Sequence, residues 1–278
     1  MTLRPLGFRR LVLGLRPGVP DRSAELAAGF ASLFDVELLG LFLDDLGLRH
    51  LAAMPAARAI SAPGAGWREL EPALGFVDRA ARRAERRFAA ASRGLERPRF
   101  EIVRGRAAEA LAAVARAEDI VVIVPPAAAA DRAAEPFASL IAAAFGSEAA
   151  VMLAPARTAR AAGSIVAIAT SADDRSVEAA SLIAAAAGER LVVVDVRALA
   201  GDALRFERKR AGNERIPRTD EGPVDYAADA APHALRGLTE RLTVVSRGII
   251  RNEVALAIAL GRGTPVLSLG ARKRARRA

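Results

Sequence analysis

Two short arginine–glycine segments contain the residues of this 278-residue chain that are best suited to hold an anion. Arg104-Gly105-Arg106 places guanidinium groups on both sides of a glycine, where a strand pattern gives way to a helix pattern. Arg247-Gly248 follows another strand pattern in the same way. Glycine permits a tight turn, a helix N-terminus carries partial positive charge, and a guanidinium binds carboxylate or phosphate oxygens bidentately. We predict these five residues as candidates for binding an anion or a cofactor, although a capping or surface role is the more frequent explanation.

The other chemically capable residues do not form a catalytic set. The chain has no cysteine, which excludes thiolate chemistry, and its two histidines are His50 and His233, too few for a histidine-rich metal site. Asp44 and Asp45 are adjacent carboxylates at the end of a strand pattern, where they could form a cation site or an acid/base pair. Adjacent strand residues point to opposite faces, which favours a turn-forming role instead. We therefore predict no enzymatic activity and no metal.

The composition is that of a globular protein with ample core. Hydrophobic residues make up 52% of the chain and charged residues 26%, which excludes an intrinsically disordered class. No apolar stretch reaches the length of a membrane-spanning helix, and the arginine-containing N-terminus lacks the apolar core of a signal peptide. We expect a cytoplasmic protein without a membrane span.

The net charge of +9 comes almost wholly from arginine. Five of the positive charges fall in a basic tail, ARKRARRA, at residues 271–278. Aromatic residues for base stacking are scarce, so we interpret the tail as a solubilising terminus and expect no nucleic-acid binding. A second basic cluster lies on the helix predicted over residues 68–95, where interspersed acidic residues favour a solvated surface. Its members are Arg79, Arg82, Arg83 and Arg86.

The order of the apolar segments predicts an α/β fold with doubly wound parallel sheets. Five strand patterns alternate with helix patterns in the first half, and crossovers of this length join parallel strands. The second half repeats the opening and closing strand–helix–strand units around a polar stretch, 198–238, that has no period. We predict two domains, at 1–158 and 159–270, the second one reduced.

The chain resembles the universal stress protein family over nearly its whole length, and three segments carry the motifs of this resemblance. The segment FEIVRGRAAEALAAVARAEDIVVIV (100–124) is similar to the family's strand, Gly, helix, Asp, strand unit, with Gly105 and Asp119 at the expected places. ELLGLFLDDLGLRHLAAMPAARAI (37–60) resembles the family's second strand and its acidic, leucine-rich extension. GRGTPVLSLG (261–270) resembles the closing strand.

The resemblance implies two Rossmann-like domains of the universal stress protein type in one chain. They would pack as an intramolecular pseudo-dimer in which the closing strands, AVMLAP and PVLSL, pair with each other. A homodimer or a protein partner is also compatible with the family.

The chain departs from the pattern of the family's nucleotide-binding members at both places that matter. Those members have an acidic residue after strand one, and after strand four a loop whose glycines let backbone N–H groups close on phosphate. Here strand one ends at Leu15-Arg16, and the later loop begins Pro125-Pro126. Of the later glycine pair only Gly146-Ser147 remains. Proline has no N–H to donate, so we expect no cofactor. ATP would be the cofactor if the degenerate motif still bound one.

Two functional hypotheses follow from the resemblance. In the first, the chain is a non-enzymatic stress-response or regulatory protein without ATP binding of the usual family type. In the second, it binds a small ligand, a nucleotide or another anion through non-standard loops, which would be the two arginine–glycine segments.

Overall fold

The structure is a computed structural model, and it describes most of the chain. The description excludes, among others, most of the polar stretch and the whole basic tail. The described residues are 6–17, 19–20, 22–52, 58–60, 67–69, 73–155, 160, 162–195, 207–208 and 235–270.

The described residues form twelve strands and eight helices. The strands are β1 Arg10–Leu15, β2 Glu37–Asp45, β3 Arg58–Ile60, β4 Trp67–Glu69, β5 Arg99–Gly105, β6 Asp119–Ile123, β7 Ala150–Leu153, β8 Ser164–Ala169, β9 Leu191–Asp195, β10 Glu207–Arg208, β11 Glu240–Ser246 and β12 Val266–Leu269. The helices are α1 Arg22–Phe34, α2 Leu46–Ala52, α3 Ala73–Ala91, α4 Ala107–Val114, α5 Ala129–Ala133, α6 Glu135–Gly146, α7 Arg175–Ala187 and α8 Asn252–Arg262.

Ten of these strands form one sheet that runs through both halves of the chain, in the order β10-β9-β8-β11-β12-β7-β6-β1-β2-β5. Within each half the main strands are parallel, so the predicted doubly wound α/β fold is confirmed. The halves meet where β7 and β12 pair antiparallel, with Met152 opposite Leu267. The predicted pairing of the two closing strands is therefore confirmed. Because this pairing is antiparallel, the strands of the two halves run in opposite directions. Their carboxyl ends therefore lie on opposite sides of the sheet along the strand direction.

Apolar residues cover both faces of the sheet, as expected for parallel strands. All five residues of β6 are buried, and neighbouring positions belong to opposite cores. Ile120 and Val122 belong to the core that also contains residues of α1, α3 and α7, whereas Val121 and Ile123 belong to the core that contains residues of α4, α6 and α8. Each core thus contains residues of both halves.

The helix predicted over 68–95 is shorter in the structure. It begins at Ala73, and residues 67–69 instead form a strand that pairs with β3. Pro72 disfavours helical backbone at the residue before it, which explains the later start. Gly94, with a φ of +147°, follows the end of the helix.

A glycine in β2 lets α3 approach the sheet closely. A Cβ atom at Gly40 would lie 2.7 Å from Cδ2 of Phe88, a buried residue of α3. The ring of Phe88 also packs against that of Phe100 in β5, with 5.6 Å between centroids. Gly40 therefore fixes the distance between α3 and the sheet, and α3 carries the arginine cluster.

Each half buries one carboxylate at the start of its central strand, and each carboxylate is paired with an arginine. At the start of β6, Asp119 accepts hydrogen bonds from Nε and Nη2 of Arg10 at 2.9 and 2.7 Å. At the start of β11, Glu240 accepts hydrogen bonds from Nε and Nη2 of Arg262 at 2.6 and 3.0 Å. These bidentate pairs lie at the amino ends of the strands, away from the edges where parallel sheets bind ligands.

Candidate functional site

The strand order of the first half reverses between β1 and β6, and the crevice beyond their carboxyl ends is the expected ligand site of such a sheet. Arg16 follows β1 directly, and Pro125 lies just beyond β6. The crevice is therefore built from the two segments in which the sequence departs from the nucleotide-binding pattern.

Arg16 occupies the position after β1 with a half-buried guanidinium group. Its Cζ atom lies 5.6 Å from the centroid of the Phe137 ring at the start of α6, a cation–π geometry. Burial lowers the pKa of Arg16, and the charge of Asp131 opposes that shift only in part. In the part of the chain that the structure describes, the guanidinium has no hydrogen bond or ion pair.

The loop after β6 satisfies its own carbonyl groups. Nη1 of Arg132, on the short helix α5, donates to the carbonyl oxygens of Pro126 and Ala127 at 2.9 and 2.6 Å. Pro125 is buried and Pro126 half-buried, and neither has an N–H. The loop therefore turns carbonyl oxygens toward an arginine where a phosphate-binding loop would present N–H groups.

The corresponding crevice of the second half, between β8 and β11, is closed by hydrogen bonds. Oδ1 of Asp174 accepts from the backbone N–H of Ser176 and from the Ser176 hydroxyl, both at 2.8 Å. The same oxygen accepts from the hydroxyl of Ser246, at the end of β11, at 2.5 Å. Asp174 is the N-cap of α7, and its carboxylate is used in capping that helix.

Arg247 connects the two halves. Its Nη1 donates to the carbonyl of Ser147 at 2.6 Å, and its Nη2 donates to the carbonyl of Ala149 at 2.6 Å. The guanidinium also lies 5.6 Å from the centroid of the Phe145 ring, and burial lowers its pKa. Gly248 follows with a φ of +90°, a conformation that favours glycine. Both terminal nitrogens of Arg247 are thus already bonded to the first half, and anion binding by Arg247 and Gly248 stays a prediction.

The other predicted segment lies at the far edge strand. The side chain of Arg104 is 72% exposed, and its Nε lies 3.4 Å from Oδ2 of Asp44. Gly105 has a φ of +150°, and Arg106 is the N-cap of α4 without a side-chain capping bond. Anion binding here also stays a prediction. Because Arg247 follows a strand of the second half, it lies at the opposite edge of the sheet, so the two segments do not form one site.

Asp44 has a different role from the turn-forming one predicted from the sequence. It is 1% exposed, and its Oδ1 accepts a hydrogen bond from Nε of Arg49 at 2.6 Å. Arg49 also donates from Nη2 to Asp78 of α3 at 2.8 Å. These bonds raise the pKa of Arg49 and lower that of Asp78. Asp44 therefore ties α2 to α3 through Arg49, and His50 beside it is exposed.

An arginine-lined cavity that the sequence analysis did not predict lies next to the crevice. It has a volume of about 610 Å³ and is bounded by the end of β1, by α1 and by α3. Its four arginines are Arg16, Arg79, Arg83 and Arg87. The last three recur every fourth residue of α3, a spacing that places them on one face of the helix. The sequence shows this spacing, but it does not show that Arg16 lies in the same cavity.

The described residues contain neither a metal-binding cluster nor a membrane-spanning helix. No group of three or more histidine, aspartate or glutamate side chains among them could hold a metal ion. None of their helices is long and apolar enough to cross a membrane.

Fold and crevice together define an α/β protein of the doubly wound, Rossmann-like class. Its architecture is similar to that of a universal stress protein from Archaeoglobus fulgidus DSM 4304, to which the chain is 11% identical with a TM-score of 0.55, covering 94% of this chain and 97% of that one. The fold implied by the resemblance is thus confirmed.

Two further solved structures are similar at lower TM-scores. A putative universal stress protein from Pseudomonas aeruginosa UCBPP-PA14 is 14% identical, with a TM-score of 0.48 and coverage of 94% of this chain and 93% of that one. A functionally unknown protein from Pseudomonas aeruginosa PAO1 is 15% identical, with a TM-score of 0.49 and coverage of 96% and 94%. No family profile and no curated protein matches the chain.

Proposed function

We propose that this chain is a non-enzymatic protein of the universal stress protein type that acts in stress response or regulation without binding ATP as the nucleotide-binding members do. The observation that carries the proposal is the crevice beyond β1 and β6, where Arg16 and Pro125-Pro126 stand in place of a carboxylate and a glycine-rich loop. The fold supports a protein of the universal stress protein type, and the residues of the crevice argue against ATP binding of the usual family type.

The physical argument concerns hydrogen-bond donors and acceptors. A guanidinium only donates, so Arg16 cannot accept a hydrogen bond from a base or a ribose as a carboxylate would. The two prolines have no N–H for phosphate oxygens, and the carbonyls of Pro126 and Ala127 point to Arg132. The crevice therefore lacks the carboxylate acceptor for a base or ribose and the loop N–H groups for phosphates that the nucleotide-binding members use.

The absence of an enzymatic role rests on the chemistry of the described side chains. A hydrolase or transferase would need a nucleophile beside a base, or a metal centre. Asp174 with Ser176 and Ser246 is the nearest arrangement, but all three of its hydrogen bonds serve the N-terminus of α7 or join it to β11. We propose instead that the two halves form an intramolecular pseudo-dimer in the cytoplasm and act through surface contacts.

Isothermal titration calorimetry with MgATP and MgADP tests this function. We expect no saturable binding at millimolar nucleotide, with circular dichroism on the same sample as the check that the protein is folded. Binding at one nucleotide per chain, or per half, would contradict the proposal.

A second candidate function, binding of a small anion through a non-standard loop, is favoured at one of the two predicted segments. Arg104 is highly exposed, and its contact to Asp44 is long, so its guanidinium remains accessible to a ligand. Substituting Arg104 and Arg106 with alanine should then abolish phosphate binding measured by calorimetry. Unchanged binding would rule out this segment.

A further inference from the structure

The cavity beside β1 combines a basic rim with an apolar floor. Leu15 and Ala24, which are buried, form part of the floor together with Val19 of the loop between β1 and α1. The arginines of α3 lie along one wall, and Arg16 lies at the end of β1. A volume of about 610 Å³ is within the range of pockets that bind small molecules.

The side chains that line this cavity differ from those of a nucleotide or sugar site. Each lining side chain that the structure describes is either aliphatic or an arginine, so the described lining includes no hydroxyl, amide or carboxylate and no aromatic ring. Arginine donates hydrogen bonds and accepts none. A fitting ligand therefore has polar atoms that only accept hydrogen bonds, and an apolar remainder that packs against aliphatic carbon. That description fits an anionic head group on an aliphatic body.

Arg16 provides a second, independent indication. It is half-buried, and no described side chain forms a hydrogen bond or an ion pair with its guanidinium. Removing a cation from water is costly unless an anion compensates it, and the Phe137 ring compensates it only in part. Other half-buried arginines of the described chain have bonded partners: Arg10 and Arg262 are paired with carboxylates, and Arg247 donates to carbonyl oxygens. Arg16 differs from them in that its cavity leaves room for an anion.

We propose that this cavity binds a small amphipathic anion, with its carboxylate or phosphate head group between Arg16 and Arg79 and its aliphatic body on Leu15, Val19 and Ala24. Arg79 is exposed, lies on the wall that faces the end of β1, and also has no described bonding partner. The site shares Arg16 with the crevice but does not depend on the proposed function, since none of its described lining side chains offers an acceptor to a nucleoside. Binding of an amphipathic anion and the lack of ATP binding are therefore tested separately.

Titration calorimetry with decanoate and decyl phosphate, below their micelle concentrations, tests the proposal on the full chain. Decanol serves as the uncharged probe and inorganic phosphate as the head group alone. The test variants are Arg16→Gln and Arg79→Gln, and the matched control is the double variant Arg82→Gln, Arg86→Gln. The control residues are exposed on the same helix but do not line this cavity. Thermal melts establish that each variant is folded.

We expect one amphiphile per chain, an affinity at least tenfold lower in each test variant, and less than a twofold change in the control. Decanol and inorganic phosphate should each bind at least tenfold more weakly than decyl phosphate. The proposal is overturned if neither amphiphile binds, if the control loses as much affinity as the test variants, or if inorganic phosphate binds as tightly as decyl phosphate. Binding of MgATP would overturn the proposed function and leave these outcomes unaffected.

Discussion

The guanidinium group of Arg16 lies 5.6 Å from the centre of the Phe137 ring, at the point where the strand order of the first half reverses. A cation stacked on an aromatic ring takes the place where the family's nucleotide-binding members have a carboxylate. The crevice beyond β1 and β6 therefore presents a guanidinium group at that place.

The buried pair of Glu240 and Arg262 should be essential for folding. Glu240 is 0% exposed, and Arg262→Met leaves its carboxylate without its bidentate partner. We expect a loss of about 3–5 kcal/mol in the free energy of unfolding, measured by urea denaturation. Arg236→Met, at an exposed position, is the control and should change stability by less than about 0.5 kcal/mol. Equal stability of the two variants would contradict this role.

Gly40 should not tolerate a side chain. Gly40→Ala places a methyl group 2.7 Å from the buried ring of Phe88, and overpacking of this kind costs about 1–3 kcal/mol of stability. The double variant Gly40→Ala, Phe88→Leu removes the clash and should be less unstable than the sum of its single variants. Thermal denaturation of the four proteins gives the coupling energy, and strict additivity would show that the two residues do not meet.

The pKa of Asp78 should depend on Arg49. A hydrogen bond from Arg49, together with its charge, lowers the pKa of Asp78 below its ordinary value in the folded protein. Asp78 therefore contributes stability above its unfolded-state pKa, and that contribution is lost as the pH falls through the lower, folded-state value. Carboxyl chemical shifts followed by NMR during an acid titration should show the pKa of Asp78 rise in Arg49→Met. An unchanged titration would mean that the two side chains are not in contact in solution.

The joint between the halves should weaken when Arg247 is replaced. Arg247→Met leaves the carbonyls of Ser147 and Ala149 without their donors, and each lost bond to a charged group costs about 1.5–3 kcal/mol. We expect faster hydrogen exchange at the β7–β12 pairing than in the wild type, with Arg247→Lys intermediate. Exchange that accelerates equally in β2, far from the joint, would indicate general rather than local destabilisation.

The sequence predicted the sheet well because its strands are determined by short-range patterns. The buried run at 119–124 became β6, and the predicted contact between the closing strands became the β7–β12 pairing. The start of α3 was predicted too early because the apolar pattern continues on the N-terminal side of Pro72, whereas a proline disfavours helical backbone at the residue before it.

Side-chain partners were much harder to predict than strands. Nothing local indicates that Arg247 bonds to carbonyls 98 and 100 residues away, or that Arg49 joins Asp44 to Asp78. The cavity beside β1 was missed for the same reason, since Arg16 and Arg79 line one cavity only after β1, α1 and α3 have packed together. Charge patterns along one helix showed where arginines lie, but not which of them share a cavity.

We propose above all that this chain does not bind ATP as the nucleotide-binding members do. The most direct test of this proposal is mass spectrometry of the small molecules released from the purified, folded protein, with quantification of adenine nucleotides against protein concentration. We predict ATP, ADP and AMP together at well below one per ten chains. A stoichiometric amount of any of them would contradict it.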